Sequence, residues 1–291
     1  MKRRKIPYLI IMMAVLMFAA CGESQEERHQ RTKAERERAA AAERAAFKVG
    51  VMPTMDCLPI FLLKDSMLYD STKVDIRLKM FTAQMDCDTA LVGGSVQGSV
   101  TDKVRADRLR QRGTLLKTVA ETNAYWQLIT NKRARLKALS QFGDKMIAMT
   151  RYSVTDMLTD KALKDSKTKY PAYKVQVNDV NVRLHMMLNN EMDAAWFTEP
   201  QATAARLAGH FMLLDSGKDT VRMGIIAFRT ADVSENRRDR QLSEFLKAYD
   251  TACERINRNG VQAYGPLMKK YMGISDKVIA HLPKLVFITS R

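Results

Sequence analysis

An α/β fold is predicted for this chain, and three observations predict it. Short apolar runs of strand length alternate with amphipathic segments of helix length. Four strand candidates end in polar corners that open helices, and these corners recur from Thr54 to Glu199. Strands alternating with helical patterns indicate parallel sheets covered by helices, and such sheets bind ligands at the ends of their strands.

The fullest instance is EMDAAWFTEPQATAARLAGH, from Glu191 to His210. Ala194 to Phe197 is a run suited to a buried strand, and Thr198 to Gln201 fits the T-x-x-Q form of a capping box. The first amides of a helix lack internal partners, so they face the strand end together with Thr198 and Glu199. Phe47 to Val51 reads as a strand that leads through Thr54, Met55, Asp56 and Cys57 into the apolar helix PIFLLKDSML. Val74 to Phe81 alternates, with Val74, Ile76, Leu78 and Met80 on one face, and ends at Thr82 and Gln84 before a helix carrying Asp86 and Asp88. Lys145 to Met149 leads into Tyr152 and Ser153, where Ser153 and Asp156 match a capping signature.

Gly93 to Asp102 is a glycine-rich turn into a short strand with the polar end Thr101 and Asp102. Gly93 and Gly98 have phosphate-loop spacing, but Ser99 and Val100 stand where lysine and a hydroxyl residue are required, so a turn is the reading. Further strands are expected at Ala124–Thr130, Tyr173–Val177 and Met223–Phe228, and helices at about Val154–Leu163 and through His185. Leu242, Phe245, Leu246, Tyr249, Cys253 and Ile256 recur at helical spacing up to a stop at Gly260. The tail, rich in Leu, Met and Tyr, is expected to pack against the body.

Residues 1–20 have the form of an export signal: basic Lys2, Arg3, Arg4 and Lys5, an apolar core from Leu9 to Met17, and the small-residue site Phe18-Ala19-Ala20. A single membrane anchor is the alternative, but the unbroken run is shorter than the roughly 20 residues of a span. Cys21 follows, and residues 22–46 form a charged, alanine-rich spacer with no apolar stripe. The formal charge is +16, or +12 without the four basic signal residues. Such a surplus fits nucleic acid, anionic headgroups or anionic solutes, but export and the lack of a basic run interleaved with aromatics speak against nucleic acid. Cys57, Cys87 and Cys253 allow at most one disulfide among them. Cys57–Cys87 is the first pair to test, and three buried thiols is the other reading. No C-x-x-C or H-x-x-x-H spacing suggests a metal site, and no cofactor motif is present. His185 and His210 are isolated.

The sequence around Cys21 resembles the lipobox of bacterial lipoproteins, which implies lipidation of that cysteine and a membrane tether. From Phe47 to Met272 the chain resembles the periplasmic solute-binding proteins of ABC importers of the nitrate, sulfonate, taurine and thiamine-precursor type. The carriers are KVGVMPTMDCLPIFLLKD, MFTAQMDCDTALVGGSVQGSVTD, FGDKMIAMTRYSVTDML, the EMDAAWFTEPQATAA core and SEFLKAYDTACERIN. The resemblance implies a type II periplasmic-binding-protein fold, with two α/β lobes and a ligand cleft between them. Residues 47–127 plus 227–291 would form lobe one and residues 128–226 lobe two. It implies ligand contacts from Thr54, Asp56, Thr82, Gln84, Thr101, Asp102, Tyr152, Ser153, Thr198 and Glu199. It further implies a monomer that binds a small solute, closes about a hinge and delivers it to a membrane permease, in the bacterial cell envelope facing the periplasm. The same fold hosts enzymes, including pyrimidine synthases and menaquinone-pathway lyases, so an exported or metabolic enzyme is the alternative.

Overall fold

The computed structural model describes residues 25–290 apart from 165 and 220. The export signal and Cys21 lie outside the described residues. The segment up to Ala46 is one unit and Phe47 onward another. In the first, the spacer is helical from Gln25 to Ala45, with Arg31 and Glu35 paired at 3.2 Å one turn apart. Its composition supplies no apolar face, as its alternation of charge and alanine requires.

The second unit is built on two five-stranded sheets. The first has the order β2-β1-β3-β10-β4, from Ile76–Met80 (β2), Phe47–Val51 (β1), Gly98–Asp102 (β3), Gly224–Arg229 (β10) and Leu116–Glu121 (β4). The second has the order β7-β6-β8-β5-β9, from Tyr173–Gln176 (β7), Met146–Met149 (β6), Ala194–Phe197 (β8), Gln127–Thr130 (β5) and Phe211–Asp215 (β9). In both, three parallel strands are followed by an antiparallel one, β10 in the first and β5 in the second. The chain therefore passes between the sheets twice, after β4 and after β9, and the two sheets follow one plan.

The strands expected at Phe47–Val51 and Ala194–Phe197 form with those bounds. Val74–Phe81 shortens to Ile76–Met80 and lies at the sheet edge, so Met80 is exposed rather than on the inner face. Ala124–Thr130 shortens to Gln127–Thr130, which leaves Trp126 on the crossing segment. β4 and β9 are strands that the apolar patterning did not reveal. Each lies at a sheet edge, and their mixed faces, LKTVAE and FMLLD, carry little regular alternation into the core.

The helix at Asn236–Asn259 is set by its apolar period, which buries Leu242, Phe245, Tyr249, Cys253 and Ile256. It stops at Gly260, whose φ of +77° suits a residue without Cβ. Phe245 of this helix packs at 5.6 Å from Phe228 of β10 and 6.0 Å from Phe47 of β1, joining three distant stretches into one aromatic core. Gly98 lies opposite Phe228 in β3, and a Cβ there would stand 2.4 Å from the ring. The tail packs, with Leu282 and Phe287 buried and Asn257 exchanging two hydrogen bonds with the Phe287 backbone at 2.8 Å each. Among the described residues no helix is long and apolar enough to cross a membrane.

Candidate functional site

The polar corners sit at strand ends of both sheets and bond one another across the gap. The Met55 amide donates to the Glu199 carbonyl at 2.8 Å, and the Val180 amide to the Thr82 carbonyl at 3.0 Å. The Val154 amide donates to Asp102 Oδ1 at 3.2 Å, and Gln201 Nε2 to the Pro53 carbonyl at 2.9 Å. The Thr82 hydroxyl donates to the Asp179 carboxylate. The seam encloses a cavity of about 70 Å³, room for a small solute or a handful of waters.

Local sequence explains how each side chain arrives there. Asp102 caps the helix Lys103–Gln111 by accepting from the Arg105 amide at 3.0 Å, and the same oxygen takes the Val154 amide from the other lobe. Ser153 opens the helix Val154–Lys164. Its hydroxyl donates to the Thr150 carbonyl at 2.7 Å and accepts from the Thr155 amide at 3.1 Å. Asp156 reaches back to the Tyr152 amide at 2.7 Å, so the acid of the capping signature serves the residue before the cap. Gln84 begins the helix Gln84–Val92 and points its amide nitrogen at Thr101 Oγ1 and the Val100 carbonyl, each at 3.4 Å.

Of the ten residues expected from sequence, the structure brings seven to the cavity wall: Thr54, Asp56, Gln84, Thr101, Asp102, Ser153 and Thr198. Three stand elsewhere. Thr82 is exposed and occupied by Asp179. Tyr152 lines a neighbouring hollow under the guanidinium of Arg108. Glu199 is 1% exposed, and its acceptors are taken by Arg206 at 2.8 Å, the Tyr125 hydroxyl at 3.2 Å and the Thr203 amide at 2.9 Å.

The capping box expected at Thr198 does not form. Pro200 disfavours helical backbone at the residue before it, so the helix begins only at Gln201, and Glu199 in place of Thr198 takes a first-turn amide.

Sequence reasoning missed Thr150, Thr155, Asn178 and Arg183 in the wall. Arg183 carries the clearest signal, because it occupies a core-facing position between Val180 and Met187 in the helix Val180–Leu188. Its buried guanidinium donates to the Val177 and Trp196 carbonyls and to Thr150 Oγ1, the last two at 2.9 and 2.6 Å. Burial without a directly paired carboxylate pushes its pKa down to about 10. Trp126, half-buried, supplies a flat wall, whereas Trp196 is buried in β8 with its indole N–H on Thr159 Oγ1 at 2.9 Å.

Two acids define the electrostatics. Burial raises the Asp102 carboxyl to about 7, against the opposing pull of the Arg105 amide and charge. Burial likewise raises Asp56, whose Oδ1 has no hydrogen-bond partner. The wall thus offers acceptors and hydroxyls, while its guanidinium is engaged by the protein. Among the described residues that line the cavity there is no histidine, lysine or cysteine. Cys57, Cys87 and Cys253 are free, buried thiols, so the Cys57–Cys87 bridge is not formed. His210 is buried with Nδ1 accepting from the Lys132 amide at 3.2 Å.

No family model and no curated protein matches the chain. Solved structures do. The chain is similar to the alkanesulfonate-binding protein SsuA from Xanthomonas axonopodis pv. citri bound to MOPS, with 16% identity over 84% of this chain and 86% of that one and a TM-score of 0.71. It is similar to the periplasmic nitrate-binding protein NrtA from Synechocystis PCC 6803, with 14% identity over 80% and 68% of the two chains and a TM-score of 0.71. A third likeness is to the ligand-binding component of an ABC-type import system from Staphylococcus aureus with zinc bound, at 18% identity, 84% and 85% coverage and a TM-score of 0.68. Among the described residues of this chain no group of three or more His, Cys, Asp or Glu side chains is placed to hold a metal. At these identities the likeness is one of architecture: the chain has the type II periplasmic-binding-protein fold, two α/β lobes whose strand ends meet around a polar cavity.

Proposed function

We propose that the chain is the solute-binding component of an ABC importer, capturing a small polar organic molecule by hinge closure and delivering it to a membrane permease. The lobes expected at 47–127 plus 227–291 and at 128–226 shift by a few residues in this reading, because Gln127 belongs to β5 of the second sheet and residues 224–226 to β10 of the first. The observation that carries it is the cavity itself, lined from both lobes by the polar residues that end their strands. Solute bound to one lobe is covered by the other, and the closed form is what a permease recognises. The protein works as a monomer, tethered through Cys21 to the bacterial cell envelope and facing the periplasm, with Gln25–Ala45 as the spacer. It binds its solute without turning it over, a reading supported by the likeness to solved binding proteins.

Sulfonate-, pyrimidine- and amine-like molecules are the solute classes of this reading. The unpartnered Oδ1 of Asp56 in the cavity wall supports a nitrogen-bearing solute over a bare oxyanion, because an N–H or ammonium group satisfies a buried acceptor that an oxyanion leaves unpaired. A thermal-shift screen over sulfonates, nitrate, pyrimidines and amines tests this. A solute at 100 times its Kd stabilises the folded state by about 2.7 kcal/mol. An amine or aminopyrimidine that raises the unfolding midpoint, with the gain removed in Asp56→Asn, is the expected result. Conversion of the bound solute, or no shift from any class, rejects the reading.

A further inference from the structure

Beside the solute cavity lies a second hollow, of about 450 Å³, and its wall is basic. The two are neighbours: Gln84, which lines the first, bonds Asp88, which lines the second, at 3.3 Å. Arg105, Arg108 and Arg112 fall on one face of the helix Lys103–Gln111 and its C-cap, at intervals of three and four residues. Arg151 comes from the corner of the other lobe.

These four guanidinium groups face one lining carboxylate, Asp88, and Arg105 takes it in an ion pair. The pairing leaves Arg105 Nε buried without a partner. Arg108 stacks on the Tyr152 ring at 3.2 Å from its centroid, a contact through the guanidinium face that leaves the N–H edge available. Among the described residues, Arg108, Arg112 and Arg151 form no ion pair. Like charges gathered along a helix face repel one another, and no other acid lines the hollow to offset them.

We propose that this hollow is a binding site for a small multivalent oxyanion of the phosphate type, free or as the phosphate group of an organic ester. Arginine forks meet tetrahedral oxyanions through paired N–H donors, and a concave wall strengthens the field that draws them in. Because Arg108 and Arg112 belong to one lobe and Arg151 and Tyr152 to the other, a bound anion bridges the closing seam. The site is distinct from the solute cavity and does not depend on what that cavity binds.

Isothermal titration calorimetry of the full chain with inorganic phosphate and with pyrophosphate, at low salt, tests the site. Saturable binding is expected, tighter for pyrophosphate. A hydrogen bond to a charged group contributes about 1.5–3 kcal/mol, so the double substitution Arg108→Gln/Arg112→Gln weakens pyrophosphate about tenfold or more. Arg151→Gln weakens it as well, because the second lobe contributes to the site. The exposed pair on the long helix, Arg237→Gln/Arg240→Gln, removes the same charge and leaves the affinity within about twofold. Thermal melts of each variant report whether the fold is retained. An isotherm that does not saturate, an Arg151→Gln variant with unchanged affinity, or equal weakening by the control pair overturns the proposal.

Discussion

The Met55 amide of one lobe donates to the Glu199 carbonyl of the other at 2.8 Å, so a residue expected to contact ligand holds the lobes together through its backbone. Its side chain does something else. The carboxylate of Glu199 anchors Arg206, Tyr125 and the first turn of the helix Gln201–Leu207.

Glu199→Gln should therefore cost stability and spare the solute. Removing one partner of a buried charge pair typically costs 3–5 kcal/mol, and the partial exposure of Arg206 scales this down to roughly 1–3 kcal/mol. Urea unfolding should show a lower midpoint, while calorimetry at 15 °C with the best solute shows an unaltered Kd. A weakened Kd with unchanged stability would return Glu199 to the site.

The raised Asp102 carboxyl makes stability depend on pH. Its folded pKa, about 7, lies above the unfolded value of 3.8, so the folded state holds the extra proton between those limits. That contribution is present in full below pH 4 and is lost as pH rises through 7, by roughly a few kcal/mol at most. Asp56, also raised, acts in the same direction. Asp102→Asn keeps an acceptor for the Arg105 and Val154 amides and removes the charge. The variant should gain on the parent as melts move from pH 5 to pH 8. A constant difference across that range would show that Asp102 titrates normally.

Arg183→Lys is not a conservative change in this chain. A lysine cannot span the Val177 and Trp196 carbonyls and Thr150 Oγ1 at once, and each orphaned buried acceptor costs about 1–3 kcal/mol. The expected outcome is a loss of roughly 2–4 kcal/mol in denaturant unfolding, together with weaker solute binding because Thr150 loses its orientation. Equal stability in the two proteins would remove Arg183 from the cavity floor.

The three internal thiols should be inert in the folded chain. Burial lifts Cys87 and Cys253 to about 12 and Cys57 well above its usual range, so little thiolate exists at pH 8. Alkylation followed by mass spectrometry should leave Cys57, Cys87 and Cys253 unlabelled for hours in buffer and label all three in guanidinium. Rapid labelling of any of them in buffer would contradict their burial.

How far the sequence carried the argument depended on which physical signal each residue left. β1 and β8, and the long helix ending at Gly260, declared themselves through dense apolar runs or an unbroken period. Two of the four edge strands, β4 and β9, did not, because they bury only part of one face and so carry mixed residues. The polar strand ends pointed to Asp102 and Gln84, and the capping signature to Ser153, and all three line the cavity. The same reasoning misplaced Glu199, since no local pattern reports Arg206 or Tyr125, which come from different elements. Thr82 and Tyr152 reached the seam but not the cavity wall, a distinction that spacing along the chain does not encode.

The seam has a consequence for how a protein of this fold can change what its cavity holds. Two of its bonds, from the Met55 amide to the Glu199 carbonyl and from the Val180 amide to the Thr82 carbonyl, join main-chain groups on both sides, and every residue except proline supplies both kinds of group. Side chains turned toward the chamber can therefore be exchanged, and a new guest accommodated, while the jaws still meet along the same line. Asp102 is the exception, since its carboxyl serves both the wall and the seam, and it is the position where a new guest would also alter the shutting.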